Sequence, residues 1–337
     1  MTNFLFVNGQ IRAMESRLLT PARLDRMVGA GSPEDAFRVL TELQYAEYFD
    51  DTVTAQDFSR VILQGLLETK NMVLKGTDNH KGFELLWRRY DLNNLKRALK
   101  EKLLKSNTEL GEFTEENGYS LLGNIPKADL ADLIFEGKTS ERIPFQYSEA
   151  VAQAQKVFAE KESFLDVEYV LDRAHFQYLK GIADAGSAFL KRWFVFTVDS
   201  VNIRSIARAV LLREEPLPQS AFLPCGTFEW ERISGIENAE DFVRFLRSTR
   251  FADAVSSDER TSEEQLLALE KGIDALYNEF LRSAQEGEID SIQVPVAYFE
   301  RRLQNARMLK FIMFAKFHGL SSEEIYKTLK QFGNRIT

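Results

Sequence analysis

One short pattern of chemistry-bearing residues occurs three times in diverged form. The stretch RRYDLNNLKRA (88–98) carries Asp91 and Asn94, and FTVDSVNIRSIARAV (196–210) carries Asp199 and Asn202. YFERRLQNARMLKF (298–311) places Arg302 and Asn305 in the same columns. At about 100° per residue, Asp91, Asn94, Leu95 and Ala98 share one helical stripe, as do Asp199, Asn202, Ile203 and Ile206. A carboxylate and an amide in an apolar stripe have two uses. They can transfer protons in a catalytic site, or they can bind backbone groups of a neighbouring turn, because buried polar groups are costly unless hydrogen-bonded. A catalytic acid has no reason to recur in a second copy and become an arginine in a third. The pattern therefore predicts structural clamps, each holding a turn inside its own domain.

The next repeated column is basic: Lys96, Arg204 and Arg307 point away from the asparagine stripe. The segments 88–105, 191–208 and 299–316 carry net charges of +5, +3 and +4 in a chain whose total is −8. These three residues are candidate interface positions for an acidic partner, with solvated surface charge as the plain alternative. Other chemistry is sparse. No glycine-rich phosphate loop with a lysine is present. His80, His175 and His318 lack metal-ligand spacing with one another or with Cys225, so no metal and no cofactor are expected. His318 reads as a residue favoured at a helix end, and Cys225 sits in a Pro-Cys-Gly turn without a histidine nearby in sequence.

The elements that must position these residues follow from periodicity. The 337 residues are 44% hydrophobic and 28% charged, as in a globular protein with a sizeable core. The negative charge argues against nucleic acid, one cysteine points to a reducing compartment, and no apolar run reaches the roughly 20 residues of a membrane span. Phe4, Val7, Ile11, Met14 and Leu18 form a helical stripe, and Phe58, Val61, Ile62, Leu66, Met72 and Val73 mark another helix. Ser32-Pro33-Glu34 reads as a helix start, Thr261 with Glu264 as a capping box, and Ser321 with Glu324 as a cap for the last helix. The Asp91 helix runs to about Lys105, and 106–118 reads as a linker. No stretch shows strand alternation. The fold class is all-α.

The asparagines are 108 and 103 residues apart, near one third of the chain. An earlier marker, SRLL (16–19), YSLL (119–122) and SAFL (220–223), places Leu19, Leu122 and Leu223 at intervals of 103 and 101. Two markers with one period predict three similar helical domains, over 1–114, 115–217 and 218–337.

These residues resemble a known family, the C subunits of the archaeal and bacterial A/V-type ATPases, counterparts of the d subunit in eukaryotic V-ATPases. The opening Ile11-Arg12-Ala13-Met14-Glu15-Ser16-Arg17-Leu18-Leu19, the Asp91-x-x-Asn94-Leu95 helix and Tyr298 to Arg307 are similar to its motifs. Arg302 departs from the acidic or amide residue commoner there. The resemblance implies three helical domains in a pseudo-threefold funnel, peripheral at the cytoplasmic side of the membrane. It also implies a non-catalytic rotor subunit between the central-stalk subunits and the membrane ring of proteolipid subunits. Two other readings are a helical scaffold of some other complex and an enzyme built on a buried aspartate.

Overall fold

A computed structural model gives the architecture. It describes residues 4–43, 45–49, 52–105, 109–213, 215–254, 261–286, 288 and 290–331. Among them every regular element is helical. The first helices are α1 (Leu5–Glu15), α2 (Pro21–Gly29), α3 (Pro33–Arg38), α4 (Phe58–Gly76) and α5 (Glu84–Lys105). There follow α6 (Lys127–Ala131), α7 (Phe145–Lys161), α8 (Phe164–Ala185), α9 (Ala188–Arg208), α10 (Trp230–Ile233) and α11 (Ala239–Arg247). The last three are α12 (Ser262–Gln285), α13 (Gln293–Phe317) and α14 (Ser322–Gln331).

Local chemistry sets the ends of these helices. The Ser32 hydroxyl accepts from the Asp35 amide at the start of α3, and the Thr261 amide donates to Glu264 while the Glu264 amide donates back to Thr261. Ser321 and Glu324 make the same exchange before α14. Gly319, at φ +69°, ends α13 in the left-handed region that glycine adopts without strain. Pro295 lies in the first turn of α13, two residues after its start at Gln293. Of the linker read at 106–118, residues 109–118 are described and contain no helix, while 106–108 lie outside the described residues.

The chain forms two compact units. One comprises residues 1–80, 253–258 and 267–337, and is built on α13, which packs against α1, α3 and α4. Val7, Ile11, Ile62, Val73, Tyr298, Phe299, Leu309 and Ile312 are fully buried there. The other comprises 81–252 and 259–266. Its α7 and α8 form a hairpin through a short turn in which Glu162 has φ +50°, and α5 packs on α8. Leu92, Leu95 and Leu99 of α5 meet Tyr147, Val151 and Ala154 of α7 and Val167 and Leu171 of α8. These units cut across the thirds read from the repeats, because residues 81–114 pack with the middle of the chain.

Candidate functional site

The repeated polar residues build two closely similar clamps in the second unit. Asp91 on α5 is fully buried, and its Oδ1 accepts from the amides of Asn124 and Ile125 at 2.6 and 2.8 Å. One helical turn on, Asn94 donates from Nδ2 to the Ser120 carbonyl at 2.9 Å and accepts from the Ser120 amide at 2.8 Å. On α9, Asp199 Oδ1 accepts from the Thr227 amide at 2.7 Å. Asn202 exchanges the same reciprocal pair with the Leu223 backbone, at 2.9 and 3.0 Å. In both clamps the amide group that the aspartate binds first lies four residues beyond the one that the asparagine pairs with.

Each carboxylate has a second, cationic partner. Arg88 donates to Asp91 Oδ2 at 3.1 Å, to Glu84 at 3.2 Å and to the Arg142 carbonyl at 2.9 Å. Burial works against the Arg88 charge, but Asp91 and Glu84 hold its pKa above the ordinary guanidinium value. Arg250 donates to Asp199 Oδ2 at 2.5 Å and stands over the rings of Phe196 and Phe251, 5.1 and 5.3 Å from their centroids.

Glycine lets each turn approach. A Cβ on Gly123 would lie 2.6 Å from Asp91 Oδ1, and one on Gly226 would lie 2.2 Å from Asp199 Oδ1. Any larger residue would push the turn off the carboxylate. The hydrogen bonds therefore align Ser120 with Leu223 and Gly123 with Gly226, so Leu122 corresponds to Cys225 and not to Leu223 as the YSLL and SAFL markers suggested. The reason is chemical: Ser120 and Leu223 offer only backbone to the clamp, so their side chains are free to differ, and the glycine is what the geometry demands. Each clamp lies wholly inside the second unit, but set against the thirds read from the sequence it spans two of them. Asp91 holds residues beyond 115, and Asp199 holds residues beyond 218.

The third copy, in the first unit, inverts the chemistry. Arg302 is 2% exposed, and its Nη2 donates to the Gly65 carbonyl at 3.1 Å, which also accepts from the Thr69 hydroxyl at 2.7 Å. The guanidinium lies 5.0 Å from the centroid of the buried Tyr45 ring. A Cβ on Gly65 would come within 2.6 Å of that ring and 2.9 Å of Arg302 Nη2. A cation thus serves a carbonyl where the carboxylates serve amides. Asn305 is half-buried and, among the described residues, does not repeat the backbone pairing of Asn94 and Asn202.

A model of the ATP synthase (C/AC39) subunit family matches residues 7–328, nearly the whole chain. The chain belongs to that family. It is 25% identical to the C subunit of the A-type ATP synthase of Desulfurococcus sp. (strain SY), over 96% of this chain and 90% of the relative. It is 21% identical to the A-type C subunit of Methanocaldococcus jannaschii, over 97% and 86%. It is also 21% identical to the C subunit of the V-type ATP synthase of Deinococcus radiodurans, over 97% and 91%.

The three basic positions of this family member have different surroundings. Lys96 is drawn into the fold: it lies 2.6 Å from Asp172 and 3.7 Å from Glu168, both on α8. Burial raises the Asp172 pKa, with Lys96 pulling against it. Lys96 is therefore ion-paired within the fold, with acids on α8 that the α5 sequence alone could not reveal. Arg204 is half-buried and has interactions of its own, whereas Arg307 is exposed.

Periodicity missed a second buried feature. His175 on α8 is fully enclosed beside Tyr147 on α7, with Nδ1 and the hydroxyl 2.6 Å apart. Burial, reinforced by Lys96, Arg88 and Arg89, pushes the His175 pKa down to about 3, so the imidazole is neutral in the folded protein. Cys225 sits in the turn held by Asp199 and Asn202, and burial pushes its thiol pKa up, away from nucleophile chemistry. Among the described residues no group of three or more His, Cys, Asp or Glu could hold a metal ion. No helix among them is long and apolar enough to cross a membrane.

Proposed function

We propose that this chain is the rotor coupler of its complex, set between the central-stalk subunits and the membrane ring of proteolipid subunits. Membership in the family makes it a subunit of a rotary ATPase of the A/V type rather than the catalytic one. In this reading it works peripherally on the cytoplasmic side, passing torque between ATP chemistry and ion movement. Its three repeats, 1–114, 115–217 and 218–337, stand around a pseudo-threefold axis as a funnel.

The observation that carries the reading is the pair of matched clamps. A torque-bearing part must resist shear between consecutive repeats. Asp91 and Asp199 each tie the last helix of one repeat to the first turn of the next through buried carboxylates, where the local dielectric is low and the bonds are strong. The carboxylates of Asp91 and Asp199 face backbone amides and arginines, as a structural clamp requires.

The test is affinity purification of the tagged full chain from detergent-solubilised membranes, with co-eluting proteins identified by mass spectrometry. Catalytic, central-stalk and proteolipid subunits are expected in stoichiometric amounts. Elution without proteolipid or stalk subunits would overturn the coupler role. Elution with an unrelated set of proteins would favour a scaffold of another complex.

A further inference from the structure

From Ala306 onward, α13 is divided along its length. Ala306, Met308, Leu309, Ile312, Met313 and Ala315 cover one half of the helix, and all are buried. Arg307, Lys310, Phe311, Phe314, Phe317 and His318 fall within an arc of about 120° on the other side, and none of them is buried. Phe314 is 55% exposed and Phe317 38%. The aromatic groups are nevertheless held in place. His318 stacks on Phe314 at 4.0 Å between centroids, with Nδ1 2.8 Å from the Phe314 carbonyl oxygen, and Phe317 stacks on Phe58 at 5.9 Å. A fixed aromatic row facing water is the mark of a surface that another molecule covers.

Spacing and charge identify the kind of molecule. Arg307, Phe311, Phe314 and His318 follow one another at steps of 4, 3 and 4, the seam of a left-handed helix pair. A lipid surface would ask for a broad apolar face ringed by cations, whereas this arc mixes Arg307, Lys310 and His318 among its aromatics. The stripe holds no acid, and the one acid of α13, Glu300, is buried. Its N-terminal end presents Arg307 and Lys310 on a chain of net charge −8, which suits a carboxylate on the partner.

We infer that this stripe docks an amphipathic helix of a protein partner, whose aliphatic seam covers Phe311, Phe314 and His318 and whose carboxylate meets Arg307. The inference rests on the chain being part of a larger assembly, and it names the face and the chemistry of one contact. The test places the photo-cross-linker benzoylphenylalanine at position 314 of the full chain in its native membranes and sequences the peptide captured on irradiation. An amphipathic helical peptide with Asp or Glu one or two turns from the captured residue is expected. Arg307→Glu should then weaken retention of that partner about tenfold, the scale of one good interfacial contact, and reversing the partner's acid to lysine should restore it. Because Arg307 is exposed, the variant should melt as the wild type does; should it not, Arg307→Ala is read in its place. Capture of lipid alone, capture of a segment without an acid, or no rescue by the reversal each overturns the inference. No capture, while the chain still elutes with ATP synthase subunits, overturns it and leaves the rotor assignment standing. Capture with no such co-elution does the reverse.

Discussion

Replacing Asp91 by alanine tests the clamp most directly. The substitution leaves the buried Ile125 amide and the part-buried Asn124 amide without their acceptor, and takes from Arg88 its closest buried anion. Each unsatisfied buried donor costs about 1–3 kcal/mol, and breaking a buried ion pair by removing one partner costs about 3–5 kcal/mol. Glu84 and the Arg142 carbonyl still satisfy part of Arg88, so the expected loss is about 3–5 kcal/mol rather than the sum. All three tryptophans, Trp87, Trp193 and Trp230, lie in the second unit, so urea unfolding followed by tryptophan fluorescence reports on that unit alone. Arg88→Met in the same background should recover part of the loss, giving a coupling of about 1–2 kcal/mol in the double-mutant cycle. A loss under about 1 kcal/mol for Asp91→Ala, or additivity within about 0.5 kcal/mol, refutes the claim that a buried carboxylate holds this turn.

The remaining expectations concern the same unit, with Arg307 of the other unit as a control. Gly226→Ala should cost about 2 kcal/mol or more, since its Cβ would fall 2.2 Å from Asp199 Oδ1, whereas Gly181→Ala, with open space inside α8, should gain up to about 1 kcal/mol. Equal effects of the two in urea unfolding would contradict the close approach. For His175, the folded pKa of about 3 lies below the unfolded value of 6.5, so the unfolded chain binds the extra proton. Its contribution is complete above pH 6.5 and falls by about 1.4 kcal/mol per pH unit towards pH 3. His175→Gln should flatten the pH dependence of the urea midpoint over that window, and an unchanged slope sinks the assignment. Lys96→Met should destabilise by about 1–2 kcal/mol by leaving the half-buried Asp172 without its cation, while Arg307→Ala should stay within about 0.5 kcal/mol. Thermal melts followed by circular dichroism rank the two, and the reverse order would show that Lys96 is merely a surface charge.

Helices and their ends were written in local order. The Ser32, Thr261 and Ser321 caps, the stop at Gly319 and the stripe of Val61, Ile62, Leu66 and Val73 depend on residues within one or two turns. Such signals are complete in the sequence because the groups that satisfy them are neighbours along the chain. The recurrence of Asp91 with Asn94 and of Asp199 with Asn202 was equally plain, and so was their need for polar partners in an apolar stripe.

Which partners they found was decided only by tertiary structure. Asp91 reaches 33 and 34 residues ahead to Asn124 and Ile125, and Asp199 reaches 51 ahead to Arg250, across connections whose course periodicity does not determine. Lys96 looked like a docking charge because its own helix supplies no acid beside it; α8, packed on α5, supplies Asp172. His175 and Tyr147, 28 residues apart, meet because the turn at Glu162 folds α7 back on α8. Arg302 shows the division most clearly. Its departure from the repeat is visible in the sequence, but its use rests on Gly65, 237 residues away, whose lack of a side chain lets a guanidinium reach a helix carbonyl beneath the Tyr45 ring. Short-range hydrogen bonding and periodicity fix helices one at a time; the match of a buried charge to its partner is a property of packed surfaces and exists only once they meet.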